Sequence, residues 1–281
     1  MVWNTLVQAE TLSIALGRND LAIVDCRFSI INTLAGEHSY EQSHLPGAVY
    51  AHLDRDLSDM SRLGQGRGRH PWPSAAAFTA KLGRWGITPQ HQIVAYDDAD
   101  GAQAARFWCL MRALGHEKVA VLDGGFARWK SLCLPLVKDV VRPTPETYKG
   151  EFDTSRLLDV EHVQERLDAG ELLIDARGAD RFRGENEMID RVAGHVPGAI
   201  SRPFAQNMHD GRFKPPPQLA DEFRALLNGR SPDQVMAMCG SGVTACHHLL
   251  AMERAGLRGA KLFAGSWSGW IEDPERPIAR D

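Results

Sequence analysis

The residues best suited to chemistry lie in MCGSGVTACHHLL, where Cys239 ends the short apolar run VMAM and Gly240 and Gly242 follow it. A short apolar run bounded by turn residues reads as a buried parallel strand. Ser241 to Met252 has helix-like composition, with Val243, Cys246, Leu249 and Leu250 on one side. Cys239 thus falls between a strand end and a helix start, where open α/β sheets bind their ligands. The two glycines let the backbone curl until successive N–H groups face inward, and with the helix dipole they form a nest for negative charge. Such a nest favours a thiolate, the nucleophilic form of cysteine, and would hold a persulfide anion equally well. Ser241 and Thr244 bring hydroxyls to the same loop. The competing reading is a core cysteine, a common fate of a free thiol. A glycine-flanked strand end is a poor place for core packing, whereas Cys246, on the apolar stripe, reads as packing.

The elements that position this loop occur twice. LAIVDCR (21–27) is followed by HLPGAVY (44–50), and LLIDAR (172–177) by GHVPGAI (194–200). Then QIVAYDD and VAVLDGGFARW in the first half answer QVMAMCGSG and AKLFAGSWSGW in the second. Asp25 pairs with Asp175, His44 with His195, Asp97 with Cys239, and Trp129 with Trp270. The spacing implies about nine extra residues in the first copy, where SRLGQGRGRHPWP reads as a long loop. Each copy alternates short apolar runs with amphipathic stretches such as AAAFTAKLGRWG and PQLADEFRALLNG. That alternation predicts α/β domains, each a small parallel sheet with helices on both faces. The expected division is 1–136 for the first domain, 137–156 for a proline-bearing linker and 157–281 for the second. With Asp97 in place of the cysteine, the first copy lacks the thiol and reads as catalytically silent. His44 and His195 recur in both copies, so they are expected to hold the turn rather than do chemistry. His247 and His248 are adjacent on a helix and are expected not to face one site together.

Composition bounds the rest. The 281 residues carry a formal net charge of −4, which implies no basic face and argues against nucleic acid. No run is long and apolar enough to cross a bilayer, and MVWNTLVQAE lacks the pattern of a secretory signal, so a cytoplasmic setting is expected. The five cysteines are irregularly spaced, with no disulfide framework and no metal-ligand spacing. No metal or other cofactor is expected.

With an Asp-x-Arg strand end and an HxPGA element in each copy, and CGSGVTAC in the second, the chain resembles the tandem rhodanese-like sulfurtransferases over nearly its whole length. CGSGVT is similar to the loop of the 3-mercaptopyruvate branch, while the thiosulfate branch typically carries basic residues after the cysteine. That contrast is physically reasonable, because thiosulfate is a compact dianion that gains from cations beside the sulfur. The resemblance implies that Arg181, of the RF element, and Arg191 hold the donor carboxylate and carbonyl. It also implies that Asp54 and His70 face the cysteine loop, with Asp54 assisting proton transfer through Ser241. Gly240, Gly242, Val243 and Thr244 would line the donor site.

The expected reaction is ping-pong through a Cys239 persulfide, with pyruvate released and sulfur passed to cyanide, a thiol or thioredoxin. A thiosulfate sulfurtransferase with the same intermediate is the nearest alternative, and a non-catalytic sulfur-relay module the next. A phosphatase needs arginine at the sixth position after the cysteine, where this chain has Ala245.

Overall fold

The computed structural model describes residues 2–98 and 100–280. Two units emerge, each with a five-stranded parallel sheet flanked by helices. In the first, the strands lie side by side in the order Leu6–Val7, Val119–Leu122, Gln92–Tyr96, Leu21–Asp25 and Ala48–Tyr50. The second repeats this order with Leu157–Leu158, Lys261–Phe263, Val235–Met238, Leu172–Asp175 and Ile200–Ser201. The middle strand of each sheet is buried along its whole length. That explains why IVAY and VMAM are continuous apolar runs rather than alternating ones.

The first unit comprises 1–58, 73–153 and 210–213, and the second 59–72, 154–209 and 214–281. The long loop expected in the first copy therefore belongs, over 59–72, to the second unit. Glu272 accepts from the N–H groups of Gly66 and Gly68, and Ser268 Oγ accepts from the N–H of Arg69 at 2.9 Å. Gly68 has φ +75°, and a Cβ there would lie 2.2 Å from the Gly265 carbonyl oxygen. Only glycine allows so close a backbone approach.

Each unit packs its own core. The first is built on Leu12, Leu45, Val94, Tyr96 and Trp129, the second on Val163, Met236, Phe263, Trp267 and Trp270. The Asp-x-Arg repeat makes a buried ion pair at each strand end, Arg27–Asp25 and Arg177–Asp175, both at 2.7 Å. Each arginine also donates to a main-chain carbonyl, Ser43 or Gly194, and lies over an aromatic ring, Phe126 or Trp267. These buried guanidiniums are paired and hydrogen-bonded, which is the condition for placing charge inside a protein. His44 and His195 each set Nδ1 against a carbonyl, Tyr40 at 2.7 Å and Phe182 at 2.8 Å. Each also exchanges two backbone hydrogen bonds, His44 with Val137 and His195 with Ala279. Both histidines are thus tied into the framework of their HxPGA turns.

Candidate active site

Cys239 follows strand Val235–Met238, and its loop leads into helix Ala245–Arg254, which begins later than the composition suggested. Residues 240–244 instead form bends and a turn between the strand and the helix. The N–H of Gly242 donates to Cys239 Sγ at 3.1 Å. Gly242 has φ +75°, and a Cβ on it would sit 2.3 Å from the Ala264 carbonyl oxygen, so the loop requires glycine there. The thiol is buried, with 1% of Cys239 exposed.

The loop is fixed from behind by Gly265–Ser268. Ser266 Oγ accepts from the N–H of Cys239 at 3.1 Å and donates to the Phe263 carbonyl at 2.9 Å. Trp267 and Ser268 donate their N–H groups to the carbonyls of Cys239 and Gly240. Ser266 has φ +51°, and Gly125, its counterpart in the first copy, has φ +53°. A serine thus occupies a backbone position made for glycine, and its hydroxyl supports the cysteine.

His70 Nδ1 lies 2.8 Å from Ser241 Oγ, and both residues are buried. Val243 is buried, and half-buried Thr244 stands at the helix start without making a side-chain cap. Arg181 reaches the loop as well. Its Nη2 and Nη1 lie 3.5 and 3.6 Å from where a Cβ of Gly240 would be, and Nη2 of Arg69 lies 3.3 Å from the same point. Arg181 pairs with Glu187 at 2.9 Å and Asp190 at 3.0 Å, and Asp190 also pairs with Arg69. Arg191 donates to the Ile271 carbonyl and is exposed. Asp54 belongs to the first unit, half-buried in the short helix Leu53–Asp56, where its N–H donates to His52 Nδ1 at 3.1 Å. Arg69, Glu187, Asp190 and Ser266 escaped the sequence reading. Arg69 adjoins His70, and Ser266 departs from the glycine of the other copy, so each left a local signal.

Cys246 is buried, with its thiol on the Gly242 carbonyl at 3.3 Å. Cys26 and Cys109 are buried and Cys133 is exposed. The adjacent pair His247 and His248 overturns the sequence expectation, because both Nδ1 atoms meet the Asn207 side-chain nitrogen, at 2.9 and 3.0 Å. Successive residues on a helix point about 100° apart, but a single amide placed between two rings is within reach of both. Burial holds the His248 pKa well below the ordinary imidazole value, with the Arg202 charge adding to the effect. In the first unit the loop matching the cysteine loop is filled by its own carboxylate. Asp97 accepts from the N–H groups of Gly101, Gln103 and Ala104 at 2.9, 3.0 and 3.1 Å. No cluster of metal-binding side chains occurs among the described residues, and no helix among them is long and apolar enough to cross a membrane.

The model of the rhodanese-like domain matches residues 8–132 and again 159–273. A protein of Pseudomonas aeruginosa named probable 3-mercaptopyruvate sulfurtransferase is 47% identical over 277 residues, covering 98% of this chain and 97% of the relative. Thiosulfate sulfurtransferase of Mus musculus is 30% identical, covering 100% of this chain and 97% of the relative. The crystal structure of SseA from Escherichia coli, a 3-mercaptopyruvate sulfotransferase, aligns with a TM-score of 0.81 at 29% identity, covering 95% of this chain and all of that one. With its domain model matched twice across most of the sequence, this chain belongs to the rhodanese-like family.

Proposed function

We propose that the protein is a sulfurtransferase that takes sulfur from 3-mercaptopyruvate onto Cys239 and passes it to a thiophilic acceptor, releasing pyruvate. The observation that carries this reading is the cysteine loop itself. Cys239 Sγ receives the Gly242 N–H, and two guanidiniums stand over Gly240, the next residue. Full-length similarity to a relative bearing that name supports the choice of donor.

The Cys239 thiolate attacks the donor sulfur. A new S–S bond forms and the C–S bond breaks, leaving its electron pair on the three-carbon fragment as the enolate of pyruvate. The proton of the donor thiol, passed through Ser241 and His70, completes pyruvate, and Cys239 keeps the sulfur as a persulfide anion. The Gly242 N–H and the helix beyond it stabilise negative charge on sulfur. Arg181 binds the donor carboxylate, Arg191 assists it, and Asp54 assists proton transfer. Gly240, Val243 and Thr244 line the donor site. The acceptor, whether cyanide, a small thiol or thioredoxin, then attacks the outer sulfur and restores the Cys239 thiolate.

Steady-state kcat/KM with 3-mercaptopyruvate and with thiosulfate, cyanide serving as acceptor in both, tests this. Preference for 3-mercaptopyruvate, lost in Cys239→Ser, is expected. Mass spectrometry of the donor-treated enzyme should find one added sulfur on Cys239. Preference for thiosulfate would overturn the donor, and turnover independent of Cys239 would overturn the mechanism.

A further inference from the structure

Arg69 stands beside Arg181 over the residue that follows Cys239. Its Nη2 is the nearest atom, at 3.3 Å, to the point where a Cβ of Gly240 would be, and both terminal nitrogens of Arg181 follow within 3.6 Å. One carboxylate joins the two arginines. Asp190 offers Oδ1 to Arg69 and Oδ2 to Arg181, the latter at 3.0 Å. Arg69 and Arg181 leave 26% and 19% of their side chains exposed, whereas Asp190 and Glu187 leave only 3% and 2%. The carboxylates therefore hold the guanidiniums from the buried side and leave accessible surface for an incoming anion. Arg69 Nε is buried without an acceptor, and of the terminal nitrogens Nη1 pairs with Asp190, while Nη2 is the atom that lies over Gly240. By contrast, Arg191 is exposed and donates to the Ile271 carbonyl.

We propose that Arg69 is a donor-binding residue that shares the carboxylate of the 2-oxo acid donor with Arg181, and that Asp190 is the positioning residue that sets the two guanidiniums side by side. This rests on 3-mercaptopyruvate being the donor. Paired guanidiniums suit a carboxylate because each presents N–H groups in a planar fork. Asp190 also sets the charge of the seat. Arg69, Arg177 and Arg181 are matched within one network by Asp175, Glu187 and Asp190. A monoanionic carboxylate gains from the forks, while the second charge of thiosulfate meets no surplus cation.

The test is steady-state kinetics of the full chain with 3-mercaptopyruvate and cyanide, with melting temperatures recorded for every variant. Arg69→Gln should raise KM about tenfold or more, with kcat changed less than about twofold, since loss of a charge-assisted contact is worth at least a factor of ten. Arg69→Lys should recover part of the loss, Arg191→Gln should shift KM less than Arg69→Gln, and Arg183→Gln should leave KM unchanged. Asp190→Asn should lower KM for thiosulfate, and an unchanged thiosulfate KM would remove Asp190 from the proposal. A KM for Arg69→Gln within about twofold of the parent, in an enzyme that does turn over 3-mercaptopyruvate, would overturn the Arg69 assignment alone. A parent enzyme with no such turnover would instead sink the donor reading, before any variant is compared.

Discussion

His70 Nδ1 and Ser241 Oγ lie 2.8 Å apart although 171 residues separate them in the chain. Both are buried, and His70 is carried by segment 59–72, which belongs to the unit that holds Cys239. A hydroxyl bonded to an imidazole can pass a proton in either direction, which suits a reaction that must protonate a departing enolate. Ser241→Ala and His70→Asn should therefore each lower kcat with 3-mercaptopyruvate about a hundredfold while KM changes little. Single-turnover pyruvate release checks this. Equal rates in parent and variants would leave Ser241 and His70 with a packing role.

Gly242 provides a second test. Its N–H is the donor on Cys239 Sγ, and a methyl group added there would meet the Ala264 carbonyl. Gly242→Ala forces either a strained positive φ or a shifted loop, at a cost of about 1–3 kcal/mol. Shifting the loop also takes the N–H away from the sulfur. The variant should melt at lower temperature and form little persulfide. Normal persulfide yield would mean that the Gly242 N–H is dispensable for holding sulfur.

Much of this arrangement was legible in the residues. The repeated Asp-x-Arg and HxPGA elements named both sheets, because a buried ion pair and a tied turn need particular side chains at particular spacings. CGSG announced the tight turn after the cysteine for the same reason, since the φ of +75° at Gly242 demands glycine. What escaped was carried by contacts that no local spacing encodes. Arg69 meets Asp190 across 121 residues, and Asn207 meets His247 across 40. Helical spacing alone placed His247 and His248 on different sites, whereas the Asn207 side chain sits within reach of both rings.

Ser266 exchanges backbone ease for a hydrogen bond. At φ +51° it bears a strain that Gly125 avoids, yet its hydroxyl accepts the buried N–H of Cys239. Ser266→Ala should keep the strain and lose the acceptor, at about 1–3 kcal/mol for a buried donor left unpaired. Ser266→Gly loses the acceptor too but relieves the backbone, so it should be more stable than the alanine variant by about 1 kcal/mol. Both should show lower kcat/KM than the parent. Urea titrations rank the stabilities, and an alanine variant more stable than the glycine variant would contradict the role given to φ.

Asp97 allows the matching loop of the first unit to be tested by pH. Burial pushes its carboxyl from 3.8 up to about 7, with Asp100 and Asp98 adding to the rise and the N–H groups of Ala104 and Gly101 opposing it. An unfolded chain ionises this carboxyl near its ordinary value, so between about pH 4 and pH 7 the unfolded state loses the proton while the folded state retains it. Over that window Asp97 makes the protein less stable as pH rises, and above about pH 7 its contribution is flat. Asp97→Asn removes this dependence. It also replaces an oxygen that accepts backbone N–H groups, so its stability relative to the parent at a single pH is not diagnostic. The diagnostic quantity is the difference in urea midpoint, variant minus parent, followed across pH. That difference should climb from pH 4 to pH 7 and level off beyond. A difference that stays flat from pH 4 to pH 7 would mean that the N–H groups of Gly101, Gln103 and Ala104 outweigh burial and hold the carboxylate ionised, as a nest built for an anion would.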